Sequence, residues 1–345
     1  MASRVQHVDI AKGMSIAFVA MFHSELKAFL PSLIEPLSLV RMPLFFFLSG
    51  VFFSYAKPPN VFFNDKGQAL LKPYFSVLLF VYLLVMIIEP NNEHWTLWGI
   101  FYGNGATLAW TPMWFLTHLF VVFSLGYCLF RYTPFAQFSL LAKWLILSLV
   151  FILGVLNIEV FWPYVERSLQ VDMALPGLPF SLDIALITLC YFSAGAMLRE
   201  QVVAFKPNTF WLCFSVAVFI AINLLFDARI DLNNRTFEMP VIATLGSIAG
   251  VYALLCVAYY LDNVQSIKYL LLKLGGASLF ILIFHYWIGK EIYRVASVGI
   301  SDHNLLFLIA TTSFLLSILL PVAIKWLVQR SQFLSYFFFP IKSAK

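Results

Sequence analysis

Pro240–Leu261, PVIATLGSIAGVYALLCVAYYL, is a run of 22 residues without one charge. As a helix rising 1.5 Å per residue it would be about 33 Å long, enough to cross the ~30 Å hydrocarbon core of a bilayer. Comparable runs recur at roughly 10–29, 39–56, 74–88, 113–130, 142–158, 180–198, 208–226, 277–296 and 304–328. Composition gives the same answer: 61% of residues are hydrophobic and 11% charged, against about half and a quarter in a soluble domain. The mean hydropathy is +0.87. A soluble globule, a disordered chain and a disulfide scaffold are excluded together. The expected fold is an all-α integral membrane protein, a bundle of about ten transmembrane helices in one domain over 1–345. Trp95–Trp110 reads as an interfacial helix rather than a span.

Charge placement orients the bundle. With about ten crossings both termini share one side, which then holds 15 of the 22 basic residues, Arg4, Lys12, Lys72, Lys273, Lys342 and Lys345 among them. The opposite side holds 7, including Lys27, Arg41, Arg167 and Arg235. Basic residues accumulate in cytoplasmic loops, so both termini are expected in the cytoplasm and the loop Asp227–Glu238 outside. The net charge of +5 comes without any basic run, which argues against a nucleic-acid partner. Cys128, Cys190, Cys213 and Cys256 fall in separate apolar stretches and read as core fillers rather than a disulfide or metal set.

A titratable side chain at membrane depth costs a few kcal/mol on insertion scales and needs a reason. Lys12 and His23 lie eleven residues apart in the first span, about three turns and some 16 Å along one helix face. Either they line a polar path, or Lys12 snorkels to the interface and His23 ties one helix to another. Arg41 opens the second span at the outer boundary, where it either reaches water or binds an anion or a developing oxyanion. Ser49-Gly50 is a small pair suited to close helix packing. His285 sits mid-span and His118 near the outer end of its span. Asp183 starts the sixth span, read as solvated or as a helix-start anion. His7, His94 and His303 look like solvated loop residues. Metal-binding, P-loop and nucleophile-elbow motifs are absent from the sequence. On these residues alone, histidine-based acyl transfer and a proton relay in a secondary transporter both remain open.

Several segments together resemble the membrane acyltransferase-3 family, in particular its sugar O-acetylase branch. They are Asp9-Ile10-Ala11-Lys12-Gly13, the following His23, and Met42-Pro43-Leu44-Phe45-Phe46-Phe47-Leu48-Ser49-Gly50. Leu71-Lys72-Pro73-Tyr74, Trp114-Phe115-Leu116, Phe192-Ser193-Ala194-Gly195 and Leu274-Gly275-Gly276-Ala277-Ser278-Leu279 follow in order, closed by His285. The resemblance implies a bundle of about ten helices that takes an acyl group, usually acetyl, from acyl-coenzyme A in the cytoplasm. It implies delivery to a hydroxyl of a cell-surface carbohydrate or its lipid-linked precursor. A multi-pass protein of the bacterial inner membrane, surrounded by lipid and using no metal, is the corresponding expectation. Lys12 takes the place of an arginine in many members, and Arg41 that of a histidine before Met-Pro. His23 and Arg41 are the expected catalytic residues. Lys12, Lys72 and Lys273 are expected to attract the phosphates of acetyl-CoA, and Ser49, Trp114 and His285 to contact the acceptor. Phe45, Phe46 and Phe47 would limit water around the thioester.

Overall fold

The computed structural model of the chain describes residues 5–158 and 177–340. Arg4, Arg167, Lys342 and Lys345, which enter the charge count, lie outside the described residues. The principal helices are α1 (Gln6–Phe22), α2 (Pro31–Val51), α3 (Pro59–Ile88), α4 (Leu97–Tyr102), α5 (Thr111–Tyr132), α6 (Leu140–Leu156) and α7 (Ala185–Met197). After these come α8 (Thr209–Leu225), a hairpin of β1 (Arg229–Asp231) and β2 (Thr236–Glu238), and α9 (Pro240–Leu261). The chain then forms α10 (Gln265–Gly276), α11 (Ser278–Ala296), α12 (His303–Arg330) and α13 (Gln332–Phe338). Six helical segments among the described residues are long and apolar enough to cross a membrane, or seven if the bent pair α10–α11 counts as one span. The other expected spans correspond to α1, α6 and α8, each of 17 residues, the lower limit of a spanning length.

Helix boundaries follow local chemistry. Side-chain oxygens of Thr96, Ser139, Asn208 and Ser331 accept the backbone N–H three residues on and cap α4, α6, α8 and α13. Such caps contribute about 1 kcal/mol each. Gly103 ends α4 with a left-handed φ of 67°, a conformation a glycine adopts without strain. The span expected at 74–88 is the second half of α3, which runs from Pro59 through a π-turn at Gly67–Leu71. Pro43 inside α2 and Pro321 inside α12 are accommodated without breaking either helix.

The chain forms two compact units. One comprises residues 5–48, 198–230 and 238–327. In it α1 packs against α9, α10 and α11. Small residues make this possible: a Cβ on Gly13 would overlap the Leu271 carbonyl oxygen, and one on Gly275 would lie 2.7 Å from the Asp9 carbonyl oxygen. On α9, Gly246, Ser247 and Gly250 form a small face against Leu39 and Val40 of α2, with the Ser247 hydroxyl donating to the Leu39 carbonyl at 2.5 Å. Between helices in lipid, such close backbone approach replaces the hydrophobic drive available in water. His7, expected in a solvated loop, is buried in the first turn of α1 and hydrogen-bonded to the Val202 carbonyl at 2.8 Å, because α1 starts earlier than its apolar run.

Gly13→Ala should therefore force α1 and α10 apart, at a cost of about 1–3 kcal/mol. The expected result is a lower yield of monodisperse protein in size-exclusion chromatography. Gly67→Ala, where the added carbon meets nothing within 4 Å, is the control and should leave the yield unchanged.

The second unit comprises residues 49–158, 177–197, 231–237 and 328–340. Here α7 packs against α5 and α6. Gly50 and Gly126 both abut Phe192, whose ring lies 5.0 Å from Phe53 and 5.2 Å from Phe123. Asp183, read from sequence as solvated or a helix-start anion, has a fully buried carboxylate. It accepts from Arg235 Nε at 2.9 Å and Nη2 at 3.3 Å, and from the Leu178 N–H at 2.9 Å. Phe180, Ser181 and Arg235 all hold left-handed φ of 54–55° around this pair. The loop expected outside, Asp227–Glu238, is thus a hairpin whose turn is pinned by Asp183. Burial, and then the Asp183 carboxylate, raise the pKa of Tyr102, whose hydroxyl donates to the Gly177 carbonyl at 2.5 Å.

Candidate active site

The first span does not continue to residue 29. α1 stops at Phe22 and His23 is its C-cap, with φ −92° and ψ 2°. The Ser24 hydroxyl and N–H both donate to the Met21 carbonyl, at 2.7 and 3.1 Å, and the chain restarts as the short helix Leu26–Phe29. The break leaves His23 exposed at the end of the helix rather than packed in a core. Among the described residues no side-chain hydrogen bond holds the ring.

His285 is the opposite case. It lies mid-way along α11, is 2% exposed, and its ring centroid is 5.5 Å from that of His23. Its Nδ1 lies 2.7 Å from the Ile281 carbonyl oxygen and 3.1 Å from that of Leu282. A carbonyl only accepts, so Nδ1 carries the proton and Nε2 of the neutral ring presents a lone pair. That Nε2 is buried with no hydrogen-bond partner. An unsatisfied buried acceptor costs about 1–3 kcal/mol.

Two cations complete this end of α1. The Arg41 guanidinium carbon lies 3.3 Å from the Phe22 ring centroid, and Lys27 Nζ lies 4.3 Å from the same centroid. Of the two sequence readings of Arg41, reaching water or binding an anion, its burial at 4% exposure disfavours the first; its carbonyl accepts the Ser15 hydroxyl at 3.3 Å. Tyr286 stands edge-on to His23 at 6.2 Å. Lys27 entered the sequence reading only as an outer-side charge, and Tyr286 did not enter it. The available signals were that Lys27 is four residues after His23 and that Tyr286 directly follows His285.

The remaining candidates divide. Lys12 is half-buried on α1, beside the Gly13 contact with α10. Lys273, on α10, lies 4.7 Å from the Tyr269 ring centroid and borders an apolar groove of about 420 Å³ lined by Leu270, Leu274, Leu319, Val322 and Trp326. Lys72 belongs to the second unit, where its Nζ donates to the Phe339 carbonyl at 2.5 Å and ties α3 to the α13 end of the chain. Ser49 is half-buried and Trp114 buried, both also in that unit. Trp114 lies 5.5 Å from His118, which is fully buried with Nδ1 3.2 Å from the Phe180 carbonyl and Nε2 3.0 Å from the Thr188 hydroxyl. Both ring nitrogens of His118 are thus engaged, leaving it no free function beyond tying α5 to α7 and the turn before it. Among the described residues no His, Cys, Asp and Glu group could hold a metal ion.

One unit thus carries an accessible histidine, a buried histidine with an open lone pair, and two cations at the end of one helix. Such a set can accept a proton and stabilise negative charge on oxygen. Comparison with known proteins gives no match among curated ones. The family model of the acyltransferase domain, acyltransferase-3, matches residues 5–326, a range that contains every candidate named above. The chain belongs to the membrane acyltransferase-3 family.

Proposed function

We propose that this multi-pass membrane acyltransferase crosses a bacterial inner membrane ten times with both termini cytoplasmic, takes acetyl from acetyl-CoA, and delivers it to a hydroxyl of a cell-surface carbohydrate or its lipid-linked precursor. The observation that carries the reading is His23, accessible at the broken end of α1 with Arg41 and Lys27 flanking the neighbouring Phe22. His23 accepts the proton of the acceptor hydroxyl as its oxygen attacks the thioester carbonyl. The tetrahedral oxyanion forms near the two cations, which stabilise it electrostatically. Collapse breaks the carbon–sulfur bond, and His23 returns the proton to the departing sulfur. Lys12, about 16 Å along the helix toward the cytoplasmic end, meets the donor's phosphates. Lys273, in the same unit, contributes basic charge toward the cytoplasmic end.

Purified protein in lipid should consume acetyl-CoA only when a glycan acceptor is present, with free thiol appearing in proportion. Lys12→Ala should raise the KM for acetyl-CoA more than it lowers kcat, and Lys12→Arg should be tolerated because guanidinium also pairs with phosphate. An unchanged donor KM in the alanine variant would remove Lys12 from the donor site. Thiol release without any acceptor requirement would remove the carbohydrate from the reaction.

A further inference from the structure

We infer that His285 is a positioning residue for His23: its open Nε2 accepts the N–H of the His23 ring and so fixes which His23 nitrogen faces the acceptor hydroxyl. The inference rests on the reading of His23 as the base, and goes beyond it by assigning what holds that base. A catalytic base needs a third group to orient it, and a histidine at a helix break with no side-chain hydrogen bond lacks one within its own helix.

Three features of His285 suit it to this role. Two backbone carbonyls of its own helix hold the proton on Nδ1, so Nε2 can accept and cannot donate while the ring is neutral. Nε2 is buried and unpartnered, an arrangement that folding disfavours unless a partner arrives. The His23 imidazole centroid is 5.5 Å away, close enough for rotation of the His23 side chain to bring a ring nitrogen to Nε2. The charged groups facing His23 are Arg41 from α2 and Lys27 from the short helix Leu26–Phe29, and both are cations. Neither can accept a hydrogen bond from His23, and both oppose the imidazolium formed in turnover. The neutral Nε2 lone pair on α11 can accept a hydrogen bond from the imidazolium and stabilise it. His118, with both nitrogens engaged, shows what a purely structural histidine looks like in the same chain.

The test compares His285→Leu, which removes the acceptor, with His285→Gln, whose side-chain carbonyl reaches the position of Nε2. Both are measured as full-length protein in lipid, with saturating acetyl-CoA and a varied glycan acceptor. His285→Leu should lower kcat on the order of 10²-fold, the usual consequence of a misoriented catalytic group, with the acceptor KM little changed. His285→Gln should recover most of that loss. Nitrogen-15 NMR of histidine-labelled protein supplies a readout independent of turnover: His23 should be one tautomer in the wild type and a mixture in His285→Leu. If His285→Leu does not fold, the His285→Gln rates and tautomer decide. A raised acceptor KM at unchanged kcat would make His285 a substrate contact and overturn the positioning role. So would an unchanged kcat with an unchanged tautomer. His23→Ala distinguishes failure of the underlying reading, since full activity there removes the base itself whatever His285 does.

Discussion

His23→Ala should insert and fold at near-wild-type yield and lose acyl transfer by 10²–10⁴-fold, the usual contribution of a general base. The separation of the two effects comes from the geometry. His23 is accessible and no side-chain hydrogen bond anchors it among the described residues, so little packing is lost with its ring. Even a lost interhelical hydrogen bond in a membrane amounts to only about 0.6–2 kcal/mol of stability. Initial rates of acetylated glycan formation at matched protein level check the prediction. Retention of more than about a tenth of the rate would make His23 a structural residue. His118→Ala should behave in the reverse sense. It removes two buried hydrogen bonds and lowers thermal stability, while the molecules that fold turn over at close to the normal rate.

Arg235→Ala carries the largest expected stability effect. It leaves the fully buried Asp183 carboxylate with the Leu178 N–H and no cation. Breaking a buried pair from one side costs about 3–5 kcal/mol, because the remaining charge has lost both water and its partner. Arg235 also donates to the Asn233 carbonyl at 2.6 Å, so the hairpin turn loses its anchor at the same time. Thermal unfolding of the purified protein should show a markedly lower Tm. The double variant Asp183→Leu with Arg235→Met should regain much of it, since an apolar replacement of both partners is often neutral. A single variant with wild-type Tm would show that the pair contributes nothing to the unit.

The apolar runs were legible because bilayer thickness imposes a minimum length on every span, and uncharged stretches such as Pro240–Leu261 have no other reading. Lys12, His23, Arg41 and His285 were legible as candidates because ionisable side chains at membrane depth are expensive enough to need a reason. The resemblance to a membrane acyltransferase family was carried by short motifs in a fixed order, and the family match over residues 5–326 agrees with it.

Hydropathy averages over a window, so it registered neither the break at His23-Ser24-Glu25 nor the start of α3 at Pro59. It treated Asp183 and Arg235 as separate polar residues, although they lie 52 positions apart and form one buried pair. The sequence by itself determined that the chain is a helical membrane protein, which family it resembles, and which few side chains were worth suspecting. These follow from composition, periodicity and the cost of charge in hydrocarbon, all of which are local or additive. Only the tertiary structure decided that His118 is saturated with hydrogen bonds while His285 keeps a lone pair open beside His23. That distinction depends on which carbonyls and hydroxyls other segments bring to each ring, and distance in space between residues far apart in the chain is a property no local pattern encodes.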